Sequence, residues 1–413
     1  MLFAPPATDA TTLARRLADY VVLATSPAVP VSAGDYWDMS EAAYRRVRRL
    51  AEELTAGRAE LAACYQALAG APDDCEAHRA LAACLAGLLD AEPGVRPAAA
   101  GLIREADREI WIDLWQGAAY SGAEPEYPAS ALLPAGNGDG PPPAANAGRV
   151  TWPAGTKPLV SVLIPFRDRD QGLRTRNLLA CLRALRDQAR APGPAEVMVI
   201  ETDTEPRTRA LIEPLADRYL HAYKDGLFNK SWAVNVGLRA AGATELTCVL
   251  DTDILVERSF LAVNTARFSH GHDAHFPYRH MLSLDPVSSD RAIRVRLGEG
   301  ADAVDTATLR GLLLRDTPGA CLWARTGALH RIGGFDERFE GWGGEDDDVT
   351  ARLAGSGTLA RFDDPLLHLH HERPAMTRDD GEFFNAHLTG AGAWTGAGGY
   401  GDPDRFAPAG RRS

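Results

Sequence analysis

From residue 159 onward short apolar runs alternate with stretches of helical period, and this alternation constrains the fold more than any other feature of the chain. Residues 159–165, 196–200 and 246–250 are apolar runs of strand length. Residues 173–190, 208–217 and 231–241 read as helices, the first with Leu178, Leu182 and Leu185 on one face. A parallel neighbour needs a long crossover, and a helix supplies it, so this order predicts an α/β fold with a largely parallel, doubly wound sheet. Ligands gather at the carboxyl ends of the strands in such sheets. Two of those ends are strongly polar, PFRDRD at 165–170 and DTD at 251–253.

Further on, residues 333–348 read GGFDERFEGWGGEDDD. Four adjacent carboxylates, Glu345 to Asp348, repel one another, and a fold keeps them together only on a solvated edge or around a charged or hydroxyl-rich ligand. A plain acidic loop has no need of Trp342, nor of glycines that let backbone pass close to a ligand. The stretch therefore reads as a ligand site.

DTD ends its strand with two acids flanking one small residue. In an extended chain their side chains point to opposite sides, so one carboxylate reaches a given ion directly. A hard divalent cation bridging a diphosphate needs only one or two protein carboxylates, because phosphate oxygens and water fill the rest. Histidines cluster in PLLHLHHERP, where His368 and His370 share a face if the segment is extended, so that one of them completes a site with Asp253. The arginines Arg291, Arg294 and Arg296 read as a solvated helix face.

Residues 1–120 read as helical. Asp38 and Glu41 have the spacing of a capping box ahead of Tyr44, Val47, Leu50, Ala51 and Leu54. Residues 80–89 form a second apolar helix and 103–114 a third, with Trp111 and Trp115 on one stripe that reads as core. Residues 121–158 are rich in Pro, Gly and Ala and read as a linker, 159–388 as the α/β domain, and 389–413 as a Gly-rich tail. The net charge of −12 argues against a nucleic-acid partner or an anionic membrane surface. Lysine occurs only at Lys157, Lys224 and Lys230, a compositional bias rather than a basic patch. Six scattered cysteines without a CxxC pair fit reduced, mostly buried thiols. No apolar run approaches the ~18 residues of a transmembrane segment, and the N-terminus does not read as a signal peptide, so the expected location is cytoplasmic.

Taken together, the motifs resemble those of the metal-dependent inverting glycosyltransferases with the GT-A fold, specifically the β-1,4-galactosyltransferase and chondroitin-polymerase-like group. IPFRDRD (164–170) resembles the first strand end of that family, which holds the uridine. FNKSWAVNVGL (228–238) resembles the segment under the diphosphate and donor sugar, DTD the metal motif, and GWGGEDDD (341–348) the acceptor and catalytic loop. The resemblance covers about residues 160–372 and implies a GT-A mixed sheet with the N-terminal helical unit outside it.

The resemblance also implies roles. Pro165, Phe166, Arg167 and Arg169 would line the uridine and phosphate site. Phe228, Asn229 and Lys230 would contact the nucleotide, the Lys230 cation facing the diphosphate, and Asp251 and Gly343 would also lie on the donor side. Asp253 would bind Mn2+ or Mg2+ together with His368 or His370. Trp342 would stack on sugars, Glu345 and Asp347 would hold acceptor hydroxyls, and Asp346 would be the general base. The implied activity is inverting transfer of galactose, N-acetylgalactosamine or glucose from a UDP-sugar to a saccharide or glycosylated acceptor. A retaining transferase and a non-catalytic sugar-nucleotide or glycan-binding module are the alternatives. A nucleotidyltransferase ranks below both, because FRDRDQG has one glycine where a phosphate loop would be glycine-rich.

Overall fold

The computed structural model describes residues 9–133, 157–168, 172–188, 194–242, 244–375, 377–388, 394–408 and 410. These fall into two compact units. The first takes in the described residues up to Pro125 together with His280–Ser289 and Asp305–Arg315, and the second takes in the rest. The sequence pattern did not anticipate that two stretches from within 159–388 would join the helical unit. Among the described residues no helix is long and apolar enough to cross a membrane.

Among the described residues the first unit gathers five longer helices, Ala10–Thr25, Glu41–Glu53, Ala59–Gly70, Cys75–Ala91 and Arg96–Glu109, beside the short Ala28–Ala33 and Asp35–Asp38. Leu13, Leu17, Tyr20, Val21 and Leu23 of the first are buried, which makes it the centre of this unit's core. Asp9 and Asp74 cap the first and fourth helices, each carboxylate accepting from backbone amides of the first turn. The expected Asp38–Glu41 box does not form: Asp38 belongs to the short helix Asp35–Asp38, and the next helix starts from Ser40 without a side-chain cap. The expected helix over 103–114 also stops early, at Glu109. Residues Ile112–Gln116 are instead a strand, antiparallel to Arg310–Arg315, which in turn pairs with His280–Leu284. Ile110, Trp111 and Ile112 favour extended backbone, and a partner strand about 200 positions away supplies the ladder. Trp111 is consequently half exposed rather than core.

A charged cluster lies inside this unit. Arg16 pairs with Asp113 and, at 2.5 Å, with Asp107, while Arg315 reaches Asp113 at 2.8 Å. Burial alone would raise the Asp113 carboxyl, but Arg16 and Arg315 hold it below the usual carboxylate range.

The second unit is built on a seven-stranded mixed sheet: β1 (Val160–Phe166), β2 (Ala195–Asp203), β3 (Arg218–Tyr223), β4 (Leu246–Leu250), β5 (Ala274–Phe276), β6 (Cys321–Arg325) and β7 (Leu359–Arg361). Their order across the sheet is β7-β5-β6-β4-β1-β2-β3. β1 runs parallel to β2 and β4, and β2 to β3, whereas β6 is antiparallel to both β4 and β5. Helix α1 (Leu173–Arg186) connects β1 to β2, as the alternation predicts, and α2 (Lys230–Ala241) connects β3 to β4, although the sequence pattern placed no strand at β3. All seven residues of β1 are buried, as a central strand covered on both faces requires. The expected helix over 208–217 is a single turn, Arg209–Ile212.

Beyond β4, the pair Ile254–Leu255 meets Leu366–His368 in an antiparallel ladder, with His368 opposite Ile254. Helix α3 (Glu345–Ser356) follows the glycine-rich stretch. Arg296, expected on a solvated face, is buried and bonds Asp187 at 2.6 Å and the Val256 carbonyl at 3.1 Å. A guanidinium whose donors are met by fixed acceptors tolerates burial, and no periodicity argument could see Asp187. Of the cysteines, Cys75, Cys181, Cys248 and Cys321 are buried, while Cys64 and Cys84 are half-buried with their sulfurs 3.0 Å apart.

Candidate active site

The four acids of GGEDDD are not a loop; they form the first turn of α3. Unpaired amides and the helix dipole favour negative charge there, which offsets part of the mutual repulsion. Gly344 precedes them with φ of 92°, a left-handed conformation that a side chain would strain. Asp348 turns inward to Arg352 at 2.5 Å, and Arg352 in turn donates to the Ile332 and Gly334 carbonyls. This acid therefore ties α3 to the preceding glycine turn. Asp347 is exposed by surface area, yet the surrounding atoms partly desolvate its carboxyl, and this together with the Asp346 charge raises its pKa.

Glu345 and Asp346 point toward Lys230, the first residue of α2. Asn229 caps that helix, its side-chain oxygen accepting from the Trp232 amide at 2.8 Å, so the lysine leaves the helix at a fixed angle. The Lys230 ammonium lies 3.0 Å from Asp251, 3.1 Å from Asp346 and 4.0 Å from Glu345. Burial opposes its charge, yet the three carboxylates hold it protonated well above the ordinary lysine range. Three acids share one cation, so the cluster stays electron-rich. Burial and the neighbouring Asp346 push the Glu345 carboxyl up to about 8 despite Lys230, and burial raises Asp251 as well.

Asp346 also faces a tight turn before β6. Gly319 has φ of 96°, and a Cβ there would stand 2.4 Å from the Asp346 carboxylate oxygen. The buried Tyr278 hydroxyl donates to the Gly319 and Thr317 carbonyls at 2.6 and 3.1 Å, which fixes the turn. Asn385 bonds the Gly343 carbonyl at 2.8 Å on the other side, next to the half-buried Trp342.

A second cluster lies one residue beyond Thr252. Asp253, His368 and His371 each offer one ligand atom, all within 4.8 Å of one another. His371 Nε2 is 2.8 Å from one carboxylate oxygen and His368 Nε2 is 3.3 Å from the other. Burial disfavours a charged Asp253, but His368, His371 and Arg174 hold its carboxyl well below the usual range. Burial likewise pushes His368 down to about 3, so its imidazole is neutral at pH 7. An ionised carboxylate beside the neutral His368 imidazole is the protonation state a divalent metal requires. His371 Nδ1 lies 2.7 Å from the Glu372 carbonyl and 3.2 Å from the Arg174 guanidinium, so the two neighbours ask opposite roles of that nitrogen. The buried Asp253 Oδ1 has no hydrogen-bond partner, which leaves a carboxylate oxygen for a cation to meet. The donor set fits a hard or borderline divalent ion.

His370, expected as an alternative ligand, lies outside this cluster; its carbonyl accepts from Asn177 at 3.0 Å. The alternation that placed His368 and His370 on one face holds only while the chain is extended. The strand ends at His368, and the residues after it turn so that His371 comes round instead.

The remaining expected donor residues divide. Pro165 and Phe166 are buried within β1. Arg167 is 5% exposed and spends its guanidinium on the Thr202, Lys224 and Gly226 carbonyls, with Phe228 beneath it, so it braces the strand ends. Arg169 lies outside the described residues. Sequence reasoning missed Tyr278, Arg174, Asn385 and Glu337. None carries a local signature: each matters through a partner far along the chain.

Residues 317–372, a stretch that holds Gly319, the acids and the histidines, match a family model described as the N-terminal domain of galactosyltransferase. The chain is 30% identical over 228 residues to validoxylamine A glucosyltransferase of Streptomyces hygroscopicus subsp. limoneus, covering 48% of this chain and 49% of that protein. It is 30% identical over 224 residues to pre-mycofactocin glycosyltransferase of Mycobacterium tuberculosis (strain CDC 1551 / Oshkosh), covering 53% and 44%. The chain thus spans about half the length of the curated relatives it matches. Among solved structures, S. aureus TarS 1-349 in complex with UDP-GlcNAc aligns with a TM-score of 0.37 and 15% identity over 52% of this chain and 59% of that one, too slight a likeness to bear on the reading. The resemblance to glycosyltransferases read from the motifs is borne out by the family match and the curated relatives.

Proposed function

We propose that this chain is an inverting glycosyltransferase that moves galactose, N-acetylgalactosamine or glucose from a UDP-sugar to a hydroxyl of a saccharide or glycosylated acceptor, with Mn2+ or Mg2+. The observation that carries the reading is the meeting of Asp346 and Asp251 on Lys230, with Asp251 two residues before Asp253 of the Asp253–His368–His371 cluster. A carboxylate beside a cation, next to a candidate metal site at the ends of sheet strands, is what in-line displacement of a nucleoside diphosphate needs. The relatives' names supply glucose as one donor for which precedent exists.

Asp346 takes the proton of the acceptor hydroxyl as that oxygen attacks the anomeric carbon from the face opposite the leaving diphosphate. Lys230 holds Asp346 in register with Asp251, so the base cannot swing away from the donor side. Glu345 and Asp347, flanking the base on the first turn of α3, hold the other acceptor hydroxyls, and Trp342 offers an aromatic face to the sugar ring. A divalent cation held by Asp253, His368 and His371 would stabilise the negative charge of the departing diphosphate.

UDP release from a panel of UDP-sugars, measured with manganese and with chelator, tests the proposal. Slow manganese-dependent hydrolysis of one donor is expected. No turnover together with no manganese-dependent UDP binding would overturn it and favour a binding module without catalysis. Once an acceptor is known, retention of the anomeric configuration in the product would replace inversion by its rival.

A further inference from the structure

The segment Trp394 to Ala407 lies outside residues 160–372, whose motifs carry the resemblance, yet it is pressed against the two elements that carry the site. Gly401 donates its amide to the Glu337 carboxylate at 2.5 Å, and Arg405 pairs with the other oxygen of that carboxylate. Glu337 is 2% exposed, and it also accepts from Asn235 of α2 at 2.9 Å, while its carbonyl accepts from Asn229 at 2.8 Å. Asn235 makes two further side-chain bonds to the Phe335 backbone, donating to its carbonyl and accepting from its amide, at 2.8 Å each. One buried carboxylate therefore joins the helix of Lys230, the turn leading to Asp346, and the chain's last described stretch.

The packing leaves no slack. A Cβ on Gly401 would stand 2.4 Å from the Asn235 carbonyl oxygen, and one on Gly333 would stand 2.3 Å from that of Thr395. Trp232 of α2 donates to the Asp402 carbonyl at 2.8 Å and meets Phe406 edge to face. A glycine kept where side chains cannot fit marks a contact the fold holds closely.

We propose that Glu337 is a positioning residue, and that residues 401–406 act through it as a brace that sets the distance between Lys230 and Asp346. A charge nearly sealed from water needs its partners in place, so loss of Arg405 loosens the carboxylate and both elements it joins. Arg405 itself is 38% exposed at its side chain, so its replacement perturbs the brace without opening the core.

The test uses the full chain with Arg405→Ala, the conservative Arg405→Lys, and Glu337→Gln as a second way to weaken the hub. Amide hydrogen exchange is read first, because it needs no substrate. Exchange over residues 335–348 should rise about tenfold or more in Arg405→Ala and Glu337→Gln, with β1 and β4 unchanged, and Arg405→Lys should restore most of the protection. Wild-type exchange over 335–348 in both weakened variants would overturn the brace. The second arm rests on the proposed reading: with a UDP-sugar that the wild type hydrolyses, kcat should fall about ten- to a hundredfold at unchanged manganese-dependent UDP affinity. A wild-type kcat, or a fall in kcat matched by an equal loss of UDP affinity, would overturn the positioning role. A wild-type protein that turns over no UDP-sugar counts against the proposed function, and the exchange result still decides the brace.

Discussion

Lys230 is one of three lysines in a chain whose other basic residues are arginines, and it meets three carboxylates contributed by two other segments. A compact ammonium suits this place, because its three donors can be shared among acids approaching from different directions. Replacing Asp346 by Asn keeps the shape and removes the base: transfer should be lost by a factor of about a thousand or more, while manganese-dependent UDP binding stays near wild type. An active Asn variant would sink the assignment. Glu345 gives a separate prediction. Its carboxyl sits at about 8 in the fold against 4.5 as the ordinary value, so between those pH values the folded protein keeps a proton that the unfolded chain releases. The Glu345 contribution to the stability of the metal-free protein therefore falls as pH rises from about 5 to about 8, and Glu345→Gln should remove that part of the profile. Urea midpoints across this range decide it; parallel curves for the two proteins would refute the shift. The acids themselves were legible as letters, since four in a row beside glycines have few uses. Which of them meets a cation, and which turns away to Arg352, was not.

At the level of elements, the decisive features are where strands and helices stop. DTD was legible because β4 is a clean apolar run with acids at its end, and α2 because its residues keep helical period after an Asn cap. The histidine assignment turned instead on the end of Leu366–His368. His371→Ala should weaken manganese binding tenfold or more, whereas His370→Ala should leave it within about twofold, because His371 and not His370 belongs to the group of candidate ligands around Asp253. Titration with manganese followed by electron paramagnetic resonance measures both, and equal losses would contradict the geometry. The same kind of ending misled the reading of 103–114, where a strand partner from residues 310–315 overrode helical spacing. Period reports which face is apolar; it does not report which distant strand will offer hydrogen bonds.

Considered whole, the chain does not divide at a single point. The helical unit draws His280–Ser289 and Asp305–Arg315 into itself, and Arg315 is one of two cations beside the buried Asp113. Residues 1–125 expressed alone should therefore lack a cooperative, near-wild-type melt, since breaking a buried ion pair costs roughly 3–5 kcal/mol and the strand Ile112–Gln116 loses its ladder. Circular dichroism with thermal unfolding of that fragment checks this, and a sharp transition would show that the later strands are dispensable. The sequence by itself determined the α/β class, the strand ends that carry acids, and the glycine-rich turn before α3, because these follow from local period, backbone freedom and charge. Only the tertiary structure decided that Asp346 and Lys230, 116 positions apart, share a contact, that His371 rather than His370 joins Asp253, and that Glu337 meets Gly401 and Arg405 beside the helix of Lys230. Such pairings depend on the angles at which elements end and on side chains brought together across the fold, and no window of neighbouring residues contains them.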